Sequence, residues 1–84
     1  IRAISPKVGL SNDFLPESVT DRAIVDMGQQ VIVVADHTKF DRVSTALVAP
    51  LNKVHMIVTN KGVESSVVHA LEKSQIKVIL VDVV

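Results

Sequence analysis

An unbroken aliphatic run, Val31 to Ala35, leads directly into four polar residues. A run of this length that is rich in β-branched side chains predicts a strand buried on both faces of a sheet. In open α/β sheets, ligands bind beyond the carboxyl ends of such strands. The residues after the run offer a carboxylate, an imidazole, a hydroxyl and an ammonium, from Asp36, His37, Thr38 and Lys39. The sequence therefore predicts that an anionic small molecule binds at this corner.

The composition limits the fold to one small aliphatic domain or part of one. The 84 residues are enough for a single domain. Hydrophobic residues make up 48% of the chain and aromatic residues 2%, so the core must consist of Val, Ile, Leu and Ala. Such a core favours a parallel sheet flanked by helices.

Charge and cysteine content exclude several classes of protein. Nine basic and nine acidic residues give a formal net charge of zero, which argues against a nucleic-acid-binding surface. The absence of cysteine excludes disulfides and thiolate metal sites, and it fits a reducing compartment. No apolar run approaches the roughly 20 residues that a membrane span needs.

Apolar periodicity predicts alternating strands and helices. Helices are expected at Glu17–Met27 and Val63–Ser74. Strands are expected at Ile1–Ile4, Val31–Ala35, Val54–Thr59 and Lys77–Val83. Residues Lys7–Pro16 read as a loop, and Val43–Leu51 is either a short helix or an irregular extended segment. The alternation predicts parallel β-α-β units, and hence an α/β fold with an open, mostly parallel sheet and flanking helices.

The two predicted helices should each bury one apolar face. The apolar face of the first contains Val19, Ala23, Ile24 and Met27. Gly28 is placed to end this helix in a left-handed cap. The apolar stripe of the second contains Val63, Val67, Ala70 and Leu71.

Lys39 is the leading candidate for ligand binding. An ammonium just past a strand, near a short helical turn, can bind a phosphate or carboxylate together with nearby backbone N–H groups. The alternative is a solvated lysine or a salt bridge to Asp36 or Asp41.

The neighbours of Lys39 each have a functional and a structural interpretation. Asp36 either bonds a sugar hydroxyl and positions Lys39, or it forms a local Asx-type turn. Thr38 either contacts the ligand or serves as a helix N-cap. His37 could touch a ligand, whereas the spacing of the three histidines does not predict a metal site.

Two residues outside the corner are further candidates. Glu17 could face the pocket from the first helical turn, or it could interact only with the helix dipole. Asn60 follows the strand VHMIVT and is either a turn former or a pocket residue.

These motifs together resemble a known family. The pattern GLS…PE…DRAI…QQVIVVADHTKFDR…LVAPL…VHMIVTN, within about Gly9 to Val81, resembles the carboxyl-terminal effector domain of DeoR-type bacterial transcription regulators. The resemblance implies a fold like part of ribose-5-phosphate isomerase and the CoA transferases, and a sensor for phosphorylated sugars. It matches Lys39 to the lysine that meets the effector phosphate, Asp36 and Thr38 to its neighbours in the motif, and Glu17 to a helical glutamate.

The chain departs from the family pattern at several positions. Asp41 replaces a glycine, Asn60 replaces an aspartate and Ser11 replaces a threonine. The amino-terminal winged helix-turn-helix and the earlier half of the effector domain, with its phosphate-binding turn, do not occur in these residues. We therefore expect residues 1–84 to be the carboxyl-terminal portion of an effector domain, a fragment of a longer protein.

The resemblance favours the sensing part of a cytoplasmic repressor of carbohydrate metabolism. A phosphorylated sugar would modulate DNA binding by the whole regulator, with DNA contacted only outside this chain. We expect no cofactor, no metal, no membrane association and no enzymatic activity. We expect the protein to form a homo-oligomer. The alternatives are a phosphosugar isomerase-like enzyme, with Glu17 and Asp36 as its acid and base candidates, and a structural or oligomerising half-domain.

Overall fold

The computed structural model describes residues 1–28, 30–44 and 46–82, which form six strands and two helices. The strands are β1 (Ala3–Ser5), β2 (Gly9–Asn12), β3 (Ile32–Val34), β4 (Ala46–Ala49), β5 (Met56–Asn60) and β6 (Lys77–Val81). The helices are α1 (Leu15–Met27) and α2 (Ser65–Lys73), and two short 3₁₀ turns lie at His37–Lys39 and Leu51–Lys53. The former is called the 37–39 turn below.

The strands form two three-stranded sheets of different type. One has the order β3-β5-β6 and is parallel, as predicted, with Val33 opposite Ile57 and Ile57 opposite Val78. The other has the order β1-β2-β4 and is antiparallel. The α/β class is therefore confirmed, whereas the prediction of a mostly parallel sheet holds for only half of the strands.

The antiparallel sheet arises where the sequence predicted a loop. Strand β2 lies within Lys7–Pro16, and it follows a turn in which Ser5 Oγ accepts hydrogen bonds from the backbone N–H groups of Lys7 and Val8, at 3.2 and 3.3 Å. Gly9 has φ +104°, and a Cβ there would lie 2.3 Å from the carbonyl oxygen of Ala49. A glycine is needed at this point for both conformation and space, and it starts a strand rather than a loop.

The 43–51 segment resolves into a strand. Residues Ala46–Ala49 form β4 and pair with β2. The prediction of an extended segment is therefore closer to the structure than the prediction of a helix, but the segment is a regular strand and not irregular. Thr45 lies outside the described residues. The last predicted strand ends at Val81, and Val83 also lies outside the described residues.

One aliphatic core joins the two sheets. Its fully buried members include Ile4 and Leu10 from the antiparallel sheet, Ile57 from the parallel sheet and Leu71 from α2. Helix α2 has the predicted apolar stripe, with Val67 and Leu71 buried. Phe40 belongs to the same core and forms a parallel bridge with Ile4, so the residue that follows the 37–39 turn is tied to the opposite sheet.

Strand β3 is not buried on both faces. Val33 is 7% exposed, but Ile32 and Val34 are 50% and 78% exposed. The reason is that β3 is an edge strand of the described sheet and only its Val33 side faces the core.

The predicted inner face of α1 is also wrong. Val19, Ile24 and Met27 are 55%, 62% and 83% exposed, whereas Ser18 is fully buried. Polar contacts set the rotation of the helix about its axis: the Ser18 hydroxyl donates to the Ala46 carbonyl at 3.4 Å, and the Arg22 guanidinium donates to the Leu47 carbonyl at 2.6 Å.

The end of α1 differs from the prediction as well. Gly28 has φ −77° and ψ 135°, so it is extended and does not form a left-handed cap. None of the helices in the described ranges is long and apolar enough to cross a membrane.

The two glycines Gly9 and Gly28 allow a matched test of this geometry. Gly9→Ala should lower the free energy of unfolding by about 1 kcal/mol or more, because the backbone is left-handed and the methyl group meets Ala49. Gly28→Ala should change it by less than about 1 kcal/mol, since its nearest neighbour would lie at 3.5 Å and its φ is negative. Urea denaturation of both variants measures the difference, and equal effects would contradict the described hairpin.

Candidate functional site

The 37–39 turn begins at Asp36, directly after the carboxyl end of β3. Asp36 is the N-cap residue, and its Oδ1 accepts hydrogen bonds from the Thr38 backbone N–H, at 2.8 Å, and from the Thr38 hydroxyl. The turn closes through hydrogen bonds from the Lys39 N–H to the Asp36 carbonyl, at 3.2 Å, and from the Phe40 N–H to the His37 carbonyl, at 3.3 Å. The Asx-type interpretation of Asp36 is therefore confirmed, whereas the N-cap interpretation of Thr38 is wrong, because Asp36 holds that position.

The cap keeps Asp36 ionised. The hydrogen bonds from Thr38, first from its hydroxyl and then from its backbone N–H, hold the pKa of the Asp36 carboxyl below its ordinary value of 3.8, and the charge of Lys39 acts in the same direction. Both of these bonds reach Oδ1. No described residue donates a hydrogen bond to Oδ2, which leaves that oxygen available as an acceptor.

Lys39 is half-buried in the turn and keeps its charge unpaired. Within the part of the chain that the structure describes, no carboxylate lies within 4.0 Å of its ammonium, and the alternative of a salt bridge to Asp36 or Asp41 is not observed. Arg42 donates to the Thr38 carbonyl at 3.3 Å and so occupies the carboxyl end of the turn. Among the described residues, the ammonium of Lys39 therefore has no ion-pair partner.

Asp41 adopts a left-handed conformation, with φ +55°. This explains why the family pattern has glycine here, since glycine enters that region without strain. Aspartate tolerates it better than most other side chains.

His37 is held in place by Asn60 at the carboxyl end of β5. The Asn60 Oδ1 accepts from the His37 backbone N–H at 2.7 Å, and the Asn60 Nδ2 lies 2.9 Å from the His37 Nδ1. Asn60 is therefore a member of the corner and not merely a turn former. The sequence signal for this role was its position just after a strand that runs parallel to β3.

A hollow of about 160 Å³ lies beside the turn. His37 and Asp41 line one side of it, and Gly62, Glu64 and other residues at the start of α2 line the opposite side. Ligand pockets for small molecules usually have volumes of about 300–1,000 Å³. The hollow is smaller than this range, and of the candidate residues of the turn only His37 lines it, since Asp36, Thr38 and Lys39 do not.

A larger hollow of about 410 Å³ lies between α1 and β3, but it offers fewer charged and hydrogen-bonding side chains to a ligand. Its lining is mainly aliphatic, and its carboxylate, Asp21, already accepts a hydrogen bond from Asn12 Nδ2 at 2.8 Å. We therefore place the candidate site at the 37–39 turn, because the charged and hydrogen-bonding groups converge there.

The structure does not bring Glu17 or the other histidines to this corner. Glu17 lies exposed in the first turn of α1, and it has no hydrogen bond or ion pair with the described residues of the turn. His55 accepts from the Val31 N–H at 2.9 Å and stabilises the start of β3, and His69 lies on α2. In the described ranges, no group of three or more His, Cys, Asp or Glu side chains is placed to hold a metal ion.

The fold and the capped turn define a small α/β domain with a candidate site at the 37–39 turn, and sequence comparison assigns its family. The family model of the DeoR C terminal sensor domain matches residues 1–61. The chain therefore belongs to the DeoR family of transcriptional regulators, in which it corresponds to the sensor domain.

Individual relatives agree with this assignment. The chain is 28% identical over 81 residues to an Escherichia coli O157:H7 protein named for transcriptional repression of the aga operon, covering 96% of this chain and 30% of that protein. It is 31% identical over 72 residues to the uncharacterised HTH-type transcriptional regulator YgbI of Escherichia coli K12, covering 86% of this chain and 28% of that protein. It is 36% identical over 59 residues to the transcriptional repressor AccR of Agrobacterium fabrum, covering 70% of this chain and 23% of that protein. The chain thus spans less than a third of the length of these relatives.

The cap makes a prediction about pH. Because the pKa of Asp36 is lower in the folded protein than its ordinary 3.8, the capped turn is favoured at pH values above 3.8 and loses this contribution as the pH falls through the lowered folded-state value. An NMR titration of the Asp36 carboxyl should therefore give a midpoint below 3.8.

Thr38→Val is the control for the cause of this shift. It removes the hydroxyl donor, which is the largest cause, and should raise the midpoint toward 3.8. A midpoint at or above 3.8 in the unsubstituted protein would contradict the cap.

Proposed function

We propose that this chain is the effector-binding part of a transcriptional repressor of carbohydrate metabolism, and that its 37–39 turn binds the phosphate of a phosphorylated sugar. The observation that carries the proposal is the ammonium of Lys39, which has no ion-pair partner among the described residues and lies in a hydrogen-bonded turn that follows the carboxyl end of a parallel strand. This is the position at which α/β sheets bind ligands, and an ammonium is a good partner for phosphate.

Each of the other corner residues has a role in this proposal. Asp36 Oδ2 accepts a hydrogen bond from a sugar hydroxyl, while Oδ1 holds the turn. Thr38 fixes Asp36 and can still accept a hydrogen bond at its hydroxyl oxygen. His37 offers its Nε2 edge to the ligand. Glu17 is included on the family resemblance, without support from a contact to the turn.

The proposed mechanism is linkage between effector and DNA. A sugar phosphate that binds one arrangement of the sensor better shifts the regulator between its DNA-bound and released states. We assign DNA binding to a part of the regulator outside these residues, which the zero net charge of this chain supports. The small volume of the hollow supports a second wall, contributed by the remaining length of the regulator.

We further propose that the parallel sheet belongs to a larger sheet like that of ribose-5-phosphate isomerase and the CoA transferases. The exposed Ile32 and Val34 of edge strand β3 support an additional layer or strand there.

An isomerase-like enzyme is less well supported by the corner. A general base works best with a pKa near the operating pH, whereas hydrogen bonds lower the pKa of Asp36. Glu17, the second candidate, has no described bond to the turn. We therefore propose sensing without catalysis and without a cofactor.

The contribution of Lys39 can be tested by isothermal titration with ribose 5-phosphate, glucose 6-phosphate and the corresponding free sugars. Lys39→Ala should lower the affinity for the phosphorylated sugar by about tenfold or more, equivalent to about 1.4 kcal/mol, because the charged partner of the phosphate is lost. The affinity for the free sugar should change little.

Lys53→Ala is the matched control, because Lys53 ends the other 3₁₀ turn as Lys39 ends this one. Equal loss of affinity for phosphorylated and free sugars in Lys39→Ala would mean that Lys39 is structural. Absence of saturable binding by all phosphorylated sugars would overturn the proposal, and turnover of one of them would favour the enzyme.

We also propose that the regulator forms homo-oligomers through apolar surface such as the outer face of α1. Leu15, Val19 and Met27 share this face and are 61%, 55% and 83% exposed. Light scattering should report a mass above that of a monomer, and Val19→Glu should lower it, because a charge on the contact face requires desolvation. Lys73→Glu on α2 is the control, and an unchanged mass in both variants would exclude α1 as the contact.

A further inference from the structure

The side chain of Asn60 makes two hydrogen bonds to one residue of the 37–39 turn. The His37 backbone N–H can only donate, so the atom 2.7 Å from it must be the Asn60 oxygen. The Asn60 Nδ2 then faces the His37 Nδ1 at 2.9 Å, and an amide nitrogen can only donate. The His37 Nδ1 must therefore accept, which requires a neutral ring with its proton on Nε2.

Gly62 provides a second, independent constraint on the same ring. Its φ is +152°, and a Cβ at this position would lie 2.8 Å from the His37 Cγ. The ring therefore packs closely against the backbone of residue 62, and the two contacts together define its position.

The turn that carries Lys39 depends on His37. The His37 carbonyl accepts from the Phe40 N–H, and the Lys39 N–H bonds to the Asp36 carbonyl just before His37. A displacement of His37 must move Lys39 with it, because these short-range bonds couple the residues of the turn.

We infer that Asn60 is a positioning residue for the anion-binding corner: it holds His37 and the 37–39 turn in one arrangement by selecting the neutral ring tautomer that has its proton on Nε2. A protonated Nδ1 would place two donors, Nδ1–H and Nδ2–H, against each other. The inference rests on the proposed function only for its effect on ligand binding.

Charged groups of both signs surround the ring. Asp36 and Lys39 flank His37 in its own turn, Asp41 and Glu64 line the same hollow, and Lys61 beside Asn60 is paired with Asp82 at 2.9 Å. The Asn60 amide is the described hydrogen-bond donor that faces Nδ1.

The first test requires no ligand and uses the nitrogen resonances of the His37 ring. At about pH 7.5, the unsubstituted protein should carry its ring proton on Nε2, because the Asn60 Nδ2 donates to Nδ1. Asn60→Asp replaces the amide donor by a carboxylate oxygen and should move the proton to Nδ1. Asn52→Asp, in the other 3₁₀ turn, introduces the same charge elsewhere and should leave the His37 tautomer unchanged.

The second test measures whether the clamp positions the corner, with sulfate as the probe. Asn60→Ala removes both hydrogen bonds to His37 and should weaken sulfate binding by about threefold or more. Asn52→Ala, in the other 3₁₀ turn, should leave sulfate binding unchanged.

The outcomes of the two tests separate the inference from the proposed function. An Nδ1 proton in the unsubstituted protein, or the same tautomer in Asn60→Asp, overturns the inference. Equal sulfate affinity in Asn60→Ala and the unsubstituted protein also overturns it. If neither protein binds sulfate, the anion-binding function fails, and the inference is then decided by the amide resonances of residues 37–39, which must shift in Asn60→Ala and not in Asn52→Ala.

Discussion

The structure depends on one aliphatic core that two small sheets share. A chain of this length buries limited apolar surface and has little stability to spare. The core therefore has to connect all elements, and Phe40 makes the connection that matters for function. It is buried, it follows the 37–39 turn directly and it bridges to Ile4 of the antiparallel sheet. The candidate site is exposed, yet its backbone is anchored to the best-packed part of the molecule.

On this anchored backbone, a few local hydrogen bonds shape the corner. Asp36 caps the turn through Thr38, Asn60 holds His37, and Asp41 turns the chain away in a left-handed conformation. Exposed hydrogen bonds of this kind contribute little to stability individually. Their effect is to select one arrangement of the charged groups, with the ammonium of Lys39 left unpaired within the described residues.

Membership of the DeoR family gives this arrangement a context. The relatives are about three to four times as long as the matched region, which is 30% of one and 23% of another. The structure presents apolar side chains on β3 and α1 at its surface. A one-walled corner and uncovered apolar faces are both consistent with a sensor completed by further polypeptide. The two departures at the corner also have physical interpretations: Asp41 takes over a glycine conformation, and the Asn60 Nδ2 can donate to the His37 Nδ1, whereas an aspartate there could only accept from it.

The sequence by itself determined the features that depend on neighbouring residues. The β-branched runs specified the parallel strands β3, β5 and β6, and the apolar stripe specified the buried face of α2. An Asx-type turn at Asp36 was one of two alternatives that the sequence left open, and the structure has it. The motifs between about Gly9 and Val81 together identified the family. These features follow from local periodicity and local hydrogen bonding, which a single sequence records directly.

Only the tertiary structure decided the features that pair distant residues. Strand β2 exists because its backbone hydrogen-bonds with β1 and β4, and the rotation of α1 follows from Ser18 and Arg22 reaching β4. The contact between Asn60 and His37 joins residues 23 positions apart. Such contacts are selected by packing and by the need to satisfy polar groups across the core, and no local pattern encodes which partner will be near. The sequence therefore identified the corner, and the folded chain determined how its side chains are held.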